Sequence, residues 1–251
     1  MPGEEDFDLF RQLRAKAMGD RLREMVDDPS CDEMTFEERV KVLLDAEASA
    51  RRDRKVAKLV REARFKLPSA RVEDVPYLQG RKLSKDRVLR WAERSRVEDC
   101  EVMVIISKTG CGKSYLSQAL GNAARRRLMP TRCVRPADML DELDRARVIG
   151  DGSHHQRMDA LKSVQLLMLD DFMTTPIATQ SAVELLEVTG SREGRKATIV
   201  ASQLEPNEWY LRIEGELMAD SILNRIATGA RYVDLDGPNM REYMAGQRAR
   251  G

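Results

Sequence analysis

A glycine-rich loop that ends in Lys-Ser is the part of this sequence with the clearest chemistry. It reads Ser-Lys-Thr-Gly-Cys-Gly-Lys-Ser at residues 107–114, behind an apolar run and ahead of a helical pattern. In such a loop the backbone N–H groups and a helix N-terminus converge on a polyphosphate, and a lysine adds a mobile positive charge. The pattern predicts a nucleotide site formed by nine residues: Ser107, Lys108, Thr109, Gly110, Cys111, Gly112, Lys113, Ser114 and Tyr115.

One position of the loop departs from the usual spacing. The pattern Gly-x-x-x-x-Gly-Lys-Ser/Thr has its first glycine at residue 107, where this chain has Ser107. A serine can begin the turn if its φ angle is negative, because only a positive φ strongly favours glycine. We therefore expect a variant loop that still binds phosphate.

A second apolar run ends in two carboxylates, Asp170 and Asp171. Such a pair, behind a phosphate loop, is typical of a Walker B strand. We expect Asp170 to hold Mg²⁺ together with Ser114, and Asp171 to orient or deprotonate the attacking water. The two motifs together predict an ATPase, with ATP and Mg²⁺ as its cofactors.

Polar residues follow a third apolar run, and an arginine follows a late helical pattern. Ser202 and Gln203 are placed where neighbouring strands would carry them toward the γ-phosphate, which makes them candidate nucleotide sensors. Arg225 is either an ordinary surface charge or an arginine finger that completes the site of a neighbouring subunit.

The elements that position these residues follow from alternating short apolar runs and helical patterns. The runs predict strands at residues 102–106, 132–135, 165–169, 197–201 and 232–235. This alternation predicts an α/β fold in which helices sandwich a parallel sheet. In such folds ligands bind at the carboxyl ends of the strands, where the loop at 107–114 begins.

The first 67 residues predict a small, separate all-α domain, and residues 68–251 the ATPase domain. Thr35 and Glu38 match a capping box at a helix start, and Pro68 ends a second helical pattern. A basic stripe on the second pattern either grips a DNA backbone or is a solvated helix face. The DNA-binding candidates are Arg51, Arg52, Arg54, Lys55, Lys58, Arg61 and Arg64.

The overall charge of the chain is close to zero, with 43 basic and 42 acidic residues among 251. The N-terminus is acidic, and the longest apolar runs have only the length of a strand. These features predict a cytoplasmic protein without membrane insertion. Only residues 236–251 follow the last predicted strand, too few for the helical lid domain that commonly covers such a nucleotide. A neighbouring subunit would then cover the site, which predicts a homo-oligomer.

Four segments of the sequence together resemble the IstB family, the AAA+ helper ATPases of bacterial insertion sequences. The resemblance covers about residues 34–241. Its most specific blocks are Ser-Gln-Leu with the following Trp at 202–209, and Ala-Asp-Ser-Ile-Leu-Asn-Arg at 219–225. The phosphate loop at 107–120 and Leu-Leu-Met-Leu-Asp-Asp-Phe at 166–172 complete the set.

The resemblance implies a P-loop NTPase of the AAA+ class that assembles with ATP on duplex DNA, deforms it and directs a transposase to that target. Hydrolysis would then help to disassemble the complex. The implied catalytic residues are Lys113, Asp170, Asp171, Gln203, Ser202 and, from a neighbouring subunit, Arg225.

Three departures from the family pattern and two alternative functions accompany this resemblance. Ser107 replaces a glycine, Ala201 stands where many relatives have threonine, and Asn224 replaces a common aspartate. A DnaC-like helicase loader shares the ATPase core with a helical appendage, and a nucleotide-gated DNA-binding module would hardly turn over ATP. The basic stripe and the Ser-Gln-Leu block favour transposition over the helicase loader, and a phosphate-release assay with saturating DNA would discriminate the binding module.

Overall fold

The computed structural model describes residues 3–78, 81–93 and 101–248, which form two compact units, Met1–Lys58 and Leu59–Gly251. The division lies earlier than the boundary at residue 67 that we expected. The reason is that the chain enters the second unit before its helix ends. The carbonyl of Ala63, a residue with 0% exposure, accepts a hydrogen bond of 2.9 Å from the N–H of Cys133.

The first unit is helical. It contains α1 (Glu4–Gln12), α2 (Lys16–Asp27), a short 3-10 helix (Pro29–Glu33) and most of α3 (Phe36–Glu62). The capping box at the start of α3 is present: Thr35 N–H donates to Glu38 Oε2 at 2.8 Å, and Glu38 N–H donates to Thr35 Oγ1 at 3.2 Å. The two helical patterns predicted before Pro68 form one continuous helix.

The second unit is built on a five-stranded sheet with the strand order β2-β3-β4-β1-β5, in which every neighbouring pair is parallel. The strands are β1 (Val102–Ile106), β2 (Thr131–Val134), β3 (Leu166–Phe172), β4 (Ala197–Ser202) and β5 (Arg231–Asp234). The predicted parallel sheet is therefore confirmed. β3 extends beyond its predicted end, so that Asp170 and Asp171 lie within the strand.

Eight helices of the described residues belong to the second unit. They are α4 (Lys85–Glu93), α5 (Lys113–Arg126), α6 (Pro136–Ile149), α7 (Ser153–Ser163), α8 (Thr179–Arg192), α9 (Pro206–Tyr210), α10 (Glu216–Ala227) and α11 (Met240–Arg248). After β5 the described chain forms only α11. Across the described residues, each helix is too short or too polar to span a lipid bilayer.

The helices cover both faces of the sheet, because successive side chains of each strand point to opposite sides. On β1, Val104 packs into one core with helices α6, α7, α8 and α10. Ile105 packs into the other core, which contains Leu116 and Leu120 of α5. Both β1 residues are fully buried. The sheet is thus a rigid platform, and β1 in its interior carries the loop that begins at Ser107.

Candidate nucleotide-binding site

The loop between β1 and α5 has the backbone conformation of a phosphate cradle. Gly110 and Gly112 have φ angles of 88° and 92°, and Gly112 is the N-cap of α5. Both angles lie in the left-handed region that favours glycine. Ser107 is not among the described residues with a positive φ, and its N–H donates to the Ser202 carbonyl at 3.2 Å. The serine therefore fits this turn without strain.

Ser114 and Asp170 meet at the carboxyl edge of the sheet. Ser114 Oγ donates a hydrogen bond of 3.0 Å to Asp170 Oδ1, and the neighbouring Lys113 is buried at 6% exposure. The order of the chain made this meeting expected, because parallel strands end at the same edge. Two oxygen atoms of the kind that Mg²⁺ prefers therefore lie next to the phosphate loop.

Asp170 is a buried carboxylate that a cation would stabilise. It is 4% exposed, and burial raises its pKa, with the charge of Asp171 adding to the rise. The hydrogen bond from Ser114 and the charge of Lys113 act in the opposite direction. Among the described residues no group of three or more His, Cys, Asp or Glu could hold a metal. A magnesium ion here would take Ser114, Asp170 and phosphate or water oxygens, which fits its usual coordination.

Asp171 lies between two cationic side chains. Its Oδ1 is 3.6 Å from Lys113 Nζ, and its Oδ2 is 3.6 Å from Arg135 Nε. The residue has a φ of 53° at an irregularity in the pairing of β3 with β4, which turns it out of the regular strand. Arg135, directly after β2, was not predicted as a site residue, because its partner is distant in sequence.

The two candidate sensors have different surroundings. Gln203 Oε1 accepts a hydrogen bond of 2.6 Å from Thr109 Oγ1, which brings Gln203 to the phosphate loop. Ser202 is 0% exposed, and its Oγ donates to the Phe172 carbonyl while accepting from Trp209 Nε1 and Leu204 N–H, all within 3.0 Å. These contacts give the Ser202 hydroxyl a structural role in place of the sensor role that we expected.

Arg225 is held within its own subunit. Its Nη1 donates to the Ser221 carbonyl at 2.7 Å, and its Nε is 3.4 Å from Glu193 Oε2. The side chain retains 32% exposure. A role in the site of a neighbouring subunit stays a prediction, and it requires the Glu193 contact to open.

Arg81 is a loop contact that the sequence did not reveal. It is 9% exposed and donates from Nη1 to the Pro76 carbonyl at 2.7 Å and from Nη2 to the carbonyl of Cys111, inside the phosphate loop. Burial lowers its pKa. No local pattern marks an arginine as a loop support when its partner lies 30 residues away. Arg81 fixes one wall of the phosphate loop.

The segment after β5 also contacts the loop, next to Arg81. Met240 N–H donates to the Gly110 carbonyl at 2.8 Å, and the Cys111 Sγ lies 3.6 Å from the Gly237 carbonyl oxygen. A Cβ atom at Gly110 would lie 2.6 Å from Asn239 Oδ1. Arg81 and the start of α11 therefore both support the loop.

We expect Gly110→Ala to weaken ATP binding beyond its effect on stability. A left-handed backbone costs an alanine about 1–2 kcal/mol, and here the new methyl group would also displace Asn239. Gly150→Ala is the matched control, because Gly150 has a φ of 70° and a methyl group added there would meet no atom within 4 Å. Thermal unfolding with and without ATP separates the two effects. Equal ATP-induced stabilisation of both variants would contradict the expectation.

The predicted basic stripe lies on α3 except for one member. Arg51, Arg52, Arg54, Lys55, Lys58 and Arg61 are all exposed residues of that helix. Two of them are partly neutralised, since Arg51 and Arg54 lie 2.9 and 3.0 Å from Glu47 Oε1. Arg64 follows the end of α3 with a φ of 54° and contacts Glu142 at 2.9 Å. It was therefore wrongly placed on the helical stripe.

The sheet order, the loop between β1 and α5 and the contact of Ser114 with Asp170 define the P-loop fold of the AAA+ class. The chain belongs to the family of IstB-like ATP-binding proteins, whose model matches residues 9–247.

Relatives agree with this assignment. The chain is 32% identical over 233 residues to the insertion sequence ATP-binding protein y4uH of Sinorhizobium fredii, covering 93% of each chain. It is 32% identical over 195 residues to the ATP-binding protein of insertion sequence IS1162 from Pseudomonas fluorescens, covering 78% of this chain and 84% of that protein.

Two solved structures share the fold. AMPPCP-bound DnaA from Aquifex aeolicus has a TM-score of 0.58 at 20% identity over 73% of this chain, which spans 55% of the DnaA chain. DnaI has a TM-score of 0.57 at 18% identity, covering 72% of this chain and 94% of that chain.

Proposed function

We propose that this protein is an ATP-dependent helper of DNA transposition. It oligomerises on duplex target DNA, remodels it, and recruits or stimulates the transposase of the same insertion element, and ATP hydrolysis drives disassembly. The observation that carries the proposal is the family match across residues 9–247, because that range includes both the helical unit and the ATP site. The relatives named as insertion sequence ATP-binding proteins supply the context of transposition.

Within one subunit, each part of the site has a distinct task in this proposal. The loop backbone and Lys113 bind the β- and γ-phosphates, and Ser114 and Asp170 hold the magnesium ion. Bound Mg²⁺ supplies charge neutralisation on the phosphates. Asp171 orients the attacking water, and Gln203, anchored to Thr109, senses the nucleotide.

Assembly and ATP binding are coupled in this proposal through an arginine of a neighbouring subunit. A triphosphate bound to one subunit gains Coulombic stabilisation when an arginine of a neighbouring subunit approaches its γ-phosphate. Arg225 is the candidate, and its 32% exposure leaves it reachable. ATP and oligomer should therefore stabilise each other.

A second candidate function has one specific observation in its favour. Asp171 is held by Lys113 and Arg135 at 3.6 Å each, so the proposed base is already paired. A nucleotide-gated DNA-binding module with little turnover would have such a carboxylate. A phosphate-release assay at saturating DNA separates the two candidates, because only the transposition helper is expected to show sustained turnover.

Electron microscopy of the protein on duplex DNA tests the main proposal. Ordered multimers should form with ATP and should be absent with ADP and in the Lys113→Ala variant. A pull-down with the transposase of the same insertion element should then recover that transposase only from the ATP-assembled complex. The proposal would be rejected if multimers form equally well with ADP. It would also be rejected if the transposase does not bind the ATP-assembled complex.

The exposed part of the stripe should set the salt dependence of DNA binding. Arg52→Glu with Lys55→Glu removes two exposed cations of α3. Each lost phosphate contact reduces the slope of log K against log salt by about 0.9, so we expect a slope smaller by about two per subunit. Arg11→Glu with Lys41→Glu is the control, because both cations are exposed in the same unit and outside the stripe. Fluorescence anisotropy measures both, and an unchanged slope would make the stripe ordinary surface.

A further inference from the structure

A cavity of about 160 Å³ lies between β2, α6 and α7, beside the catalytic edge of the sheet. It is far larger than a single water molecule needs. Its lining includes Asp170 at the inner end and Arg135 at the rim. The cavity is therefore next to the ATP site, although neither motif of that site predicts it.

Cations outnumber anions in the lining. Five basic side chains line the cavity, namely Arg64, Lys66, Arg132, Arg135 and Arg157, against Asp138, Glu142 and Asp170. Five minus three leaves a surplus of two positive charges. Glu142, one of these three anions, contacts Arg64 at 2.9 Å and Arg157 at 3.1 Å.

Three of the guanidinium groups crowd one another. Burial is the main cause that lowers the pKa of Arg132, and the charges of Arg64 and Arg157 lower it further. The charge of Glu142 acts in the opposite direction. The Nε atoms of Arg132 and Arg157 are buried and find no hydrogen-bond partner among the described residues. A buried donor without a partner costs about 1–3 kcal/mol. An anion with several oxygen atoms would satisfy these donors and relieve the repulsion.

We propose that this cavity binds a phosphate group, supplied by the backbone of duplex DNA, and this source rests on the proposed function. Guanidinium groups match phosphate oxygens in planar, paired hydrogen bonds, which favours phosphate over a spherical anion. Arg64, Arg135 and Arg157 have side chains that are 52%, 43% and 41% exposed, so a backbone phosphate can reach them at the mouth.

A phosphate bound in the cavity should change the contacts of Asp171, the proposed catalytic carboxylate. Arg135 lines the cavity and at the same time lies 3.6 Å from Asp171 Oδ2. A phosphate at the mouth draws the Arg135 guanidinium toward itself and weakens its contact with Asp171. The carboxylate then becomes free to orient water, so duplex DNA raises the rate of ATP hydrolysis.

The test compares a cavity variant with a matched surface variant in the full chain. Arg64→Gln with Arg157→Gln removes two charges from the lining. Arg127→Gln with Arg145→Gln removes two charges from exposed positions of the same unit outside the cavity. The readouts are the salt slope of duplex binding by anisotropy and the ratio of ATP turnover with and without duplex.

The cavity variant should lose about one unit or more of the salt slope, at about 0.9 per phosphate contact, and its turnover should no longer respond to duplex. The surface variant should keep both properties of the wild type. A cavity variant that keeps the wild-type slope and the wild-type ratio would overturn the proposal, and so would equal losses in both variants.

Inorganic phosphate separates this proposal from the proposed function. It is titrated by calorimetry into protein whose triphosphate site is filled with the non-hydrolysable analogue AMPPCP. Saturable binding that is present in the wild type and lost in the cavity variant supports the phosphate site, even if the wild type fails to bind duplex and the proposed function falls. Suppose that the wild type binds phosphate but the cavity variant keeps the wild-type salt slope for duplex binding. That result would overturn DNA as the source of the phosphate group. No saturable binding in the wild type would overturn the site itself.

Discussion

ATP affinity is expected to fall at least about 100-fold, or about 2.8 kcal/mol, when Lys113 is replaced by alanine. Lys113 is 6% exposed, so its ammonium group acts where water screens it little. In the absence of nucleotide, its nearest carboxylate is Asp171 at 3.6 Å. The triphosphate offers more negative charge than Asp171, so Lys113 should move to it on binding.

Calorimetry with ATP measures this loss directly. Lys85→Ala is the control, because Lys85 is exposed at the start of α4 and outside the loop. It should bind ATP as the wild type does. Undiminished affinity of the Lys113 variant would reject the assignment of residues 107–114 as a phosphate loop. Far-UV circular dichroism of both variants shows whether the fold is retained.

The core of the site could be predicted because it depends on local patterns and on chain order. Val102–Ile106 is a strand since its residues are apolar on both faces, and the following glycines permit left-handed angles. Parallel strands end at one edge, which was enough to bring Ser114 to Asp170. Each of these steps uses residues close in sequence or a general rule of α/β folds.

The supports of the site could not be predicted, because each joins residues far apart in sequence. Arg81 contacts Cys111, and Arg135 contacts Asp171, through side chains whose local sequence is ordinary for a surface position. Ser202 is the reverse case, because the sequence predicted a sensor where the structure shows contacts within the core. A serine at a strand end suggests a sensor, but the Ser202 hydroxyl donates to the Phe172 carbonyl and accepts from Trp209 Nε1 in the core.

The division between the two units differs from the predicted boundary at residue 67 for a related reason. Pro68 is a strong local end signal, but α3 ends at Glu62, and the units divide between Lys58 and Leu59. What decides the division is burial in the second unit, as for Ala63 at 0% exposure. The helical spacing of apolar residues in α3 continues across the division between the units. This spacing therefore cannot show which part of the helix is buried against distant residues.

ATP turnover is expected to fall at least about tenfold in Asp171→Asn, while ATP binding is retained. A general base contributes about 100-fold or more, so about tenfold is a lower bound for this loss. Asparagine keeps the shape and tolerates the φ of 53° at this position. It loses the negative charge that attracts the proton of the attacking water. It also releases Lys113 from its contact with Asp171, which should leave affinity for ATP unchanged or slightly higher.

The control for this variant is Asp138→Asn. Asp138 lies 3.8 Å from Arg135 Nη1, so its replacement removes a carboxylate from the same arginine and leaves Asp171 unchanged. Single-turnover measurements at saturating ATP and duplex, with affinity measured by calorimetry, separate chemistry from binding. If Asp138→Asn slows turnover as much as Asp171→Asn, the charge balance around Arg135 is the cause. If Asp171→Asn turns over at the wild-type rate, water is oriented by another group, and the two cations around Asp171 have only a structural purpose.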